Sequence, residues 1–295
     1  MSPVADRSLT RLAVFCTLAV LALTGCAGKK AWYGDPEKGL NLEYRFTNAK
    51  PLSYRMTNTF KQTLDIMGQT MEVDADGETA FTVSSEGAAK DIYTLDVAID
   101  AASFAIKSMG GNIEPDMSEL AGKRFAMTLT LLGKELDVSG AEELTYDMGP
   151  QGTGNMSSQF QAVFPDLPGR AVAVGDTWTS SDTVRDKSEN SESTIMLHNT
   201  HTIDGFETVN GMECVRIRNA FTGSLAGKGQ QQGMDLVSKA TIEGTETWYF
   251  AYKKGVFVRT VSTGSAKGTI VGSGMQEITI PMTRKFEMTA ELLAE

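Results

Sequence analysis

The chain has 295 residues, of which 27 are Lys or Arg and 37 are Asp or Glu, for a formal net charge of −10 at pH 7. That sign argues against a nucleic-acid partner, which would need a basic face. With 41% hydrophobic residues and only 3 Cys and 2 His, stability must come from a buried core, in one large domain or two, and not from a disulfide or metal framework.

Arg7 and Arg11 precede an almost wholly apolar run over residues 12–23, and small residues then lead to Cys26. This is the three-part layout of an export signal. As a helix the run would measure about 18 Å, short of the ~30 Å hydrocarbon core of a bilayer, so cleavage and export are expected in place of a membrane span. Leu23, Thr24, Gly25 and Cys26 resemble the lipobox of bacterial lipoproteins. The resemblance implies that residues 1–25 are a lipoprotein signal peptide, that Cys26 Sγ receives a diacylglyceryl group, and that the membrane is a partner through this covalent lipid. Ala27 and Gly28 follow the cysteine where Asp would signal inner-membrane retention, so the same resemblance implies an outer-membrane location, facing periplasm or surface, in a Gram-negative host. An ordinary signal peptide with a chance cysteine is the plainer alternative. Loss of residues 1–25 removes Asp6, Arg7, Arg11 and Cys16, leaving 25 basic and 36 acidic side chains, a net charge near −11. Cys214 is then the sole cysteine without lipid, and no intramolecular disulfide can form.

Residues 26–41 carry Lys29, Lys30, Gly34, Pro36 and Gly39 with little periodicity and are expected to be a lipidated N-terminus and flexible tether. Trp32 and Tyr33 within it suit either the lipid interface or the domain surface. A β-rich domain is expected over residues 42–295, as one body or as two lobes, 42–150 and 171–295, joined by residues 151–170.

From Leu52 the pattern becomes alternation, with Leu52, Tyr54, Met56, Phe60, Leu64 and Ile66 on one parity and polar residues on the other, the mark of a half-buried antiparallel strand. Asp76 and Gly77 are expected to form a turn ahead of Thr79, Phe81 and Val83. Further strands are expected through Tyr93, Leu95, Val97 and Ile99, then through Phe125, Met127 and Leu129, with a turn at Gly133 and Lys134. Pro115 begins a possible helical turn ending at Leu120.

The midpoint changes period. Met156, Phe160, Val163 and Phe164 fall at i, i+4, i+7 and i+8, which predicts one short central helix near 155–164, ended by Pro165. The segment that follows, Pro165, Asp166, Leu167, Pro168, Gly169, then Gly175, Asp176, Thr177, Trp178, resembles the P…G-D-x-W link of a family of uncharacterised bacterial lipoproteins, a domain of unknown function. The motif spans about fifteen residues, and it implies no catalytic residue and no ligand.

Strands resume with Ile195, Leu197 and Ile203, and with Val215 and Ile217, with Gly205 and Gly211 at expected turns. Residues 223–233, rich in Gly and Gln, are expected to be a long flexible loop. Trp248, Phe250 and Tyr252, a turn at Lys254 and Gly255, and Val256 and Val258 come next. The clearest strand is last: Ile278, Ile280, Met282, Phe286, Met288 and Leu292 share one parity, and the strand is long enough to pair with the one beginning at Leu52.

No sequence motif names an activity. His198 and His201 are separated by an odd number of residues, so on a strand they face opposite ways and share no metal ion; they are expected at a surface or hairpin end. Asp74 and Asp76 lack the further ligands of a calcium loop. Glu142 and Glu143 are open as an acid and base pair, and Cys214 fits a strand as a small apolar residue. There is no G-x-S-x-G elbow, H-E-x-x-H, phosphate loop or dinucleotide fingerprint. No catalytic residue, metal or cofactor is therefore expected.

The expected fold is mainly β, a large curved antiparallel sheet, open-barrel or sandwich-like, whose apolar face must be covered or left open to a ligand. The leading functional expectation is a non-enzymatic, lipid-anchored cell-envelope protein that binds an apolar or lipid-like ligand in a groove lined by Met156, Phe160, Val163 and Phe164. Fourteen of the fifteen methionines remain once residues 1–25 are lost; they suit adaptable apolar surfaces, but core packing is the favoured expectation for any one of them. A structural or assembly module offering sheet edges and residues 223–233 to an envelope protein partner is the alternative, and a hydrolase without a recognisable motif is the third.

Overall fold

The alternation that begins at Leu52 builds most of the chain. The structure, a computed structural model, describes residues 31–109, 111–149, 152–231, 233–274 and 277–293. The expected export signal and Cys26 lie outside them. The chain divides into the units Met1–Trp32 and Tyr33–Glu295, and every element named below belongs to the second.

In chain order, β1 (Gly34–Asp35) and β2 (Gly39–Leu40) form a small hairpin. Then come β3 (Leu52–Ile66), β4 (Gln69–Ser84), the short β5 (Ala88–Ala89), β6 (Ile92–Ser108), β7 (Gly111–Ile113), β8 (Arg124–Thr130) and β9 (Glu135–Asp137). The pair β10 (Thr145–Asp147) and β11 (Thr153–Asn155) leads to a single helical turn, α1 (Ser157–Phe160). Six long strands follow: β12 (Thr177–Lys187), β13 (Ser191–Val209), β14 (Met212–Gln231), β15 (Met234–Ala251), β16 (Val256–Ser273) and β17 (Ile278–Leu292).

Among the described residues, thirteen strands form one antiparallel sheet that runs β12-β13-β14-β15-β16-β17-β3-β4-β6-β8-β9, with β5 and β7 attached to β6. Residues before and after the connector thus share one sheet. They meet where β17 pairs with β3, Phe286 opposite Phe60 and Thr289 opposite Thr57, the partnership that their matching lengths predict. The sheet is not closed, because β12 and β9 stand at the two ends of the path. Side chains from Lys134, just before β9, and from the β11–α1 segment reach β12. Lys134 Nζ donates to Ser181 O and to Asp182 Oδ1, both at 3.0 Å, and the Gln161 side-chain amide both donates to Arg185 O and accepts from Arg185 N at 2.8 Å. Asn155 Nδ2 donates to Lys187 O at 2.6 Å. The edge of β12 is covered by these groups and by nearby charge, two common protections for an open strand.

Four expectations about local structure are corrected. The turn between β3 and β4 is Met67–Gly68, both with positive φ (54° and 82°), as a two-residue primed turn requires, and Asp65 Oδ1 accepts from Gly68 N at 2.9 Å. Asp76 and Gly77 instead lie inside β4, where a Cβ on Gly77 would come within 2.7 Å of Asn58 Oδ1. Residues 223–231 are not loop but the second half of β14, with 223–229 paired on both sides, to β13 and β15, and 230–231 paired to β15. Gly223 is there because the strands approach closely: a Cβ would meet Met196 O at 2.2 Å. The central helix is one turn only, since Gln161 leaves helical geometry and Ala162 takes φ 108°. The turn near Pro115 is a 3-10 turn, Ser118–Leu120. Gly205 marks a bulge within β13, while Asn210–Gly211 and Lys254–Gly255 lie at the turns.

The apolar parity of the long strands faces one way. At one end of the strands, here called proximal, it carries Tyr54, Phe81, Leu95, Val97, Ile217, Trp248 and Phe250, all nearly or wholly buried. At the distal end a second, smaller cluster holds Leu64, Phe221, Ala240, Ile242, Ala266 and Met282. The opposite parity is polar, as in Arg55, Lys61, Lys285 and Glu287, all exposed, and Glu291, half-buried. A transmembrane barrel has the reverse arrangement, with an apolar band outside.

Candidate functional site

The proximal half of the apolar face is sealed by two segments. Residues 33–46 lay Leu40, Leu42, Tyr44 and Phe46 on it, and the connector adds Met156, Phe160, Phe164, Leu167 and Val172. Tyr33, expected in the tether, packs edge-on to Tyr252 with ring centroids 5.5 Å apart. Aromatic rings interlock beneath: Phe160 meets Phe81 and Phe125 at 5.2 and 4.9 Å, and Phe164 meets Tyr44, Phe46 and Tyr54. Tyr44 Oη donates to Pro165 O and Tyr54 Oη to Phe257 O, each at 3.0 Å. Met156, Phe160 and Phe164, expected along a groove, are therefore 0–2% exposed parts of the core, with Val163 half-buried against the same cluster. They fill the face where a groove was expected.

The connector motif is structural in the same sense. Asp176 Oδ2 accepts from Ala173 N at 3.0 Å, and Trp178 Nε1 donates to Asp166 O at 3.0 Å.

Across β12 to β16 a polar row separates the two apolar clusters. Glu246 accepts from Asn219 Nδ2 at 3.1 Å and from Thr260 Oγ1 at 2.9 Å. Asn219 Nδ2 also donates to Asn199 Oδ1, and Asn199 Nδ2 to Asp182 Oδ2 at 2.7 Å. Ser180 Oγ and His201 Nε2 share a hydrogen bond of 3.0 Å. Burial pushes the carboxyls of Glu246, Asp166 and Glu135 up, Asp166 to about 6 and Glu135 to about 8, and pushes the His201 imidazole down to about 4. Asn219 Oδ1, His201 Nδ1 and Trp248 Nε1 are buried without a hydrogen-bond partner, so this row costs the fold some stability. A serine beside a histidine suggests nucleophilic chemistry. However, His201 Nδ1 meets no carboxylate to orient it, and its ring is stacked under Trp178.

The distal half is different, because no segment of the described chain covers it as the connector covers the proximal half. Ile66, Met71, Ile195, Leu197, Leu225, Ile270, Ile280 and Phe286 pack on the second cluster yet remain partly exposed. One cross-strand row, Phe221–Gly244–Gly264–Phe286–Phe60, borders it. The two glycines leave space for the neighbouring rings: a Cβ on Gly244 would meet Phe221 Cζ at 2.3 Å, and one on Gly264 would meet Phe286 Cζ at 2.4 Å. A cavity of about 890 Å³ touches this row from the other side: most of its walls, among them Thr59, Lys61, Glu243, Thr245, Lys285 and Glu287, belong to the opposite, polar parity, and Arg284 and Gln62 are not among them.

Arg284 stands in the middle of this face. It is paired in register with Gln62 on one side and Ala266 on the other. Its guanidinium lies 4.3 Å from the centroid of the Phe60 ring and donates from Nε and Nη2 to Gln62 Oε1 at 2.9 and 2.5 Å. Among the described residues it forms no ion pair with a carboxylate, and desolvation pushes it below the ordinary arginine value. It remains a full cation at any physiological pH.

The larger cavity, about 1100 Å³, lies elsewhere, along the seam between β12 and β9, and its walls include Glu135, Glu142, Asp182, Asp186, Lys187 and Glu192. It is a charged cleft, not an apolar one. The remaining sequence candidates are scattered. His198 is exposed on β13 and bonds Ser181 Oγ at 3.0 Å, whereas His201, expected at a surface or hairpin end, is 3% exposed. Glu142 and Glu143 are exposed on the 3-10 turn Ser139–Glu143. Asp76 faces Lys107 at 3.8 Å, and Cys214 is wholly buried, its thiol pushed up to about 11 by burial. Among the described residues no three His, Cys, Asp or Glu gather as a metal site.

Sequence reasoning passed over Arg284, Gln62 and Glu246. The signal was present: each is a polar or charged residue on the apolar parity of its strand, between Met282 and Phe286, Phe60 and Leu64, and Ile242 and Trp248.

No protein-family model matches the chain, and no curated protein does. Among solved structures it shows likeness to Pseudomonas aeruginosa OccK11 (OpdR), at 10% identity and TM-score 0.20 over 86% of this chain and 99% of that one. The β domain of the Bordetella autotransporter BrkA matches at 11% identity and TM-score 0.23 over 81% and 98%. Superpositions this loose do not establish a shared fold.

Proposed function

We propose that this chain is a non-enzymatic protein of the cell envelope, held to a membrane by lipid on Cys26, whose β domain binds an apolar, lipid-like ligand on the distal half of its inner face. One observation carries the reading: a single apolar sheet face is sealed over its proximal half by residues 33–46 and the connector, while the distal half, from Ile195 to Ile280 across the strands, stays partly exposed. Contiguous apolar surface of this kind marks a binding site more often than idle exposure. The polar outer parity supports a domain that stands in water beside the membrane. Among the described residues no helix is long and apolar enough to cross a bilayer; the attachment proposed is the lipid on Cys26, carried by the lipobox pattern Leu23, Thr24, Gly25, Cys26. Ala27 and Gly28 after it support an outer-membrane destination in a Gram-negative host.

Native mass spectrometry of the full chain tests this, together with titration of a lipophilic dye. The expected result is a co-purifying apolar ligand that the dye displaces. Ligand-free protein from repeated preparations that also ignores the dye would remove the reading.

A further inference from the structure

We infer that the ligand is a long-chain carboxylic acid, its alkyl chain lying on the distal apolar face and its carboxylate taken by Arg284. This rests on the reading above and adds the chemical class of the ligand.

Three observations converge. Arg284 is a charge on an otherwise apolar stretch of strand, flanked on its own parity by Met282 and Phe286. The residues beside it in register, Ala266 and Gln62, bring no negative charge, and no carboxylate of the described chain forms an ion pair with it. A partly buried cation without a counter-charge is costly for a fold to keep. The stacking on Phe60 and the amide oxygen of Gln62 hold the guanidinium in place without neutralising it.

The geometry then selects the head group. A guanidinium has two hydrogen-bonding edges. Gln62 Oε1 occupies the edge formed by Nε and Nη2, and the edge formed by Nη1 and Nη2 is the one left to a ligand. Two parallel N–H donors match the two oxygens of one carboxylate. Arg284 is the one cation on this stretch of the apolar parity, since Lys61 and Lys285 belong to the opposite face by alternation. A carboxylate, with one charge and two oxygens in one plane, fits that supply better than a phosphate monoester such as that of phosphatidic acid, which carries up to two charges on a tetrahedral group.

The experiment uses the full chain in phosphatidylcholine nanodiscs with three diazirine-bearing probes of equal chain length: a fatty acid, the corresponding alcohol, and a phosphatidic acid. After irradiation, labelled peptides are mapped by mass spectrometry for the wild type, Arg284→Gln and Arg284→Lys. The expected result is labelling of peptides from β13 to β17 by the acid at least about ten-fold above the alcohol, the scale of one charge-assisted contact. Arg284→Gln should erase that preference, and Arg284→Lys should keep part of it. If acid and alcohol label the distal face equally in the wild type, the carboxylate inference fails while the apolar-ligand reading stands. If phosphatidic acid outcompetes the fatty acid, the head group has been misassigned. If no probe labels that face, both readings fall together. The wild-type comparison is decisive by itself should either variant fold poorly.

Discussion

The indole of Trp178 lies almost flat against the imidazole of His201, with 4.9 Å between ring centroids and 23° between planes. Trp248 closes the other side edge-on at 5.9 Å. An imidazolium there would lose its water, which is why burial lowers His201 to about 4 from an ordinary 6.5. The folded value is depressed, so the unfolded chain binds the proton more readily. The stabilisation is present above about 6.5 and is lost as pH falls toward about 4. Replacing His201 with Phe should flatten that part of the pH profile of urea unfolding midpoints. An unchanged slope would show that His201 is not the group responsible.

Glu135 carries the opposite sign. Burial raises it to about 8 from 4.5, and Phe164 N donates to its Oε1 at 3.0 Å. Its favourable contribution is complete below about 4.5 and is lost as pH rises through about 8. Glu135→Gln keeps an acceptor for Phe164 N without the charge. It should stabilise the fold by about 1 kcal/mol above pH 8, or roughly 2–4 °C in Tm, and much less near pH 5. Thermal melts at the two ends of that range check the difference.

Gly244 sits under the Phe221 ring and against Thr263 O, where a Cβ would approach to 2.3 and 2.4 Å. Gly244→Ala should therefore destabilise by about 1–3 kcal/mol through overpacking. Gly68→Ala has open space around its Cβ and is strained by its φ of 82° alone, so its loss should be smaller. Denaturant titration ranks the two.

Phe160 and Phe286 separate core from site. Phe160 is fully buried among Phe81 and Phe125, and its truncation to Ala should cost about 3–5 kcal/mol. Phe286 is partly exposed, so Phe286→Ala should cost much less stability and should weaken dye binding. Stability and dye titration measured on the same samples show whether the two effects divide this way.

The anchor has its own test. Cys26→Ser removes the sulfur to which a lipobox reading assigns the diacylglyceryl group. The variant should show no incorporation of labelled fatty acid and should leave the membrane fraction, and persistent labelling would end that reading.

Much of the sheet was legible because period-two alternation is long and clean in β3 and β17 and shows over Tyr93–Ile99 of β6 and Trp248–Phe250 of β15, and equal lengths pointed to the β17–β3 pair. The turn at Met67–Gly68 was missed because Asp76–Gly77 offers stronger turn chemistry, yet the alternation from Val73 to Val83 passes straight through it. The second half of β14 was hidden by its glycines, which here answer a close approach of strands and not a need for flexibility. The helical stripe at Met156, Phe160 and Phe164 correctly marked residues that cover an apolar face, but periodicity has no means of distinguishing a lining from a lid. The feature that names a ligand class, Arg284 on an apolar parity, was written in the sequence as a single interruption, and only the register with Gln62 and the ring of Phe60 give it meaning.

The β17–β3 pair also sets the order of assembly. The hairpins of β3 to β6 and of β12 to β17 are local and can form as each is synthesised, but the two sets become one sheet only when β17 reaches β3, more than two hundred residues upstream. Joining ends so distant is slow. Until that step is complete, the edges of β3 and β17 are both open, with Phe60 and Phe286 beside them. Those two edges are therefore where this sheet is most open to pairing with another chain before it is complete.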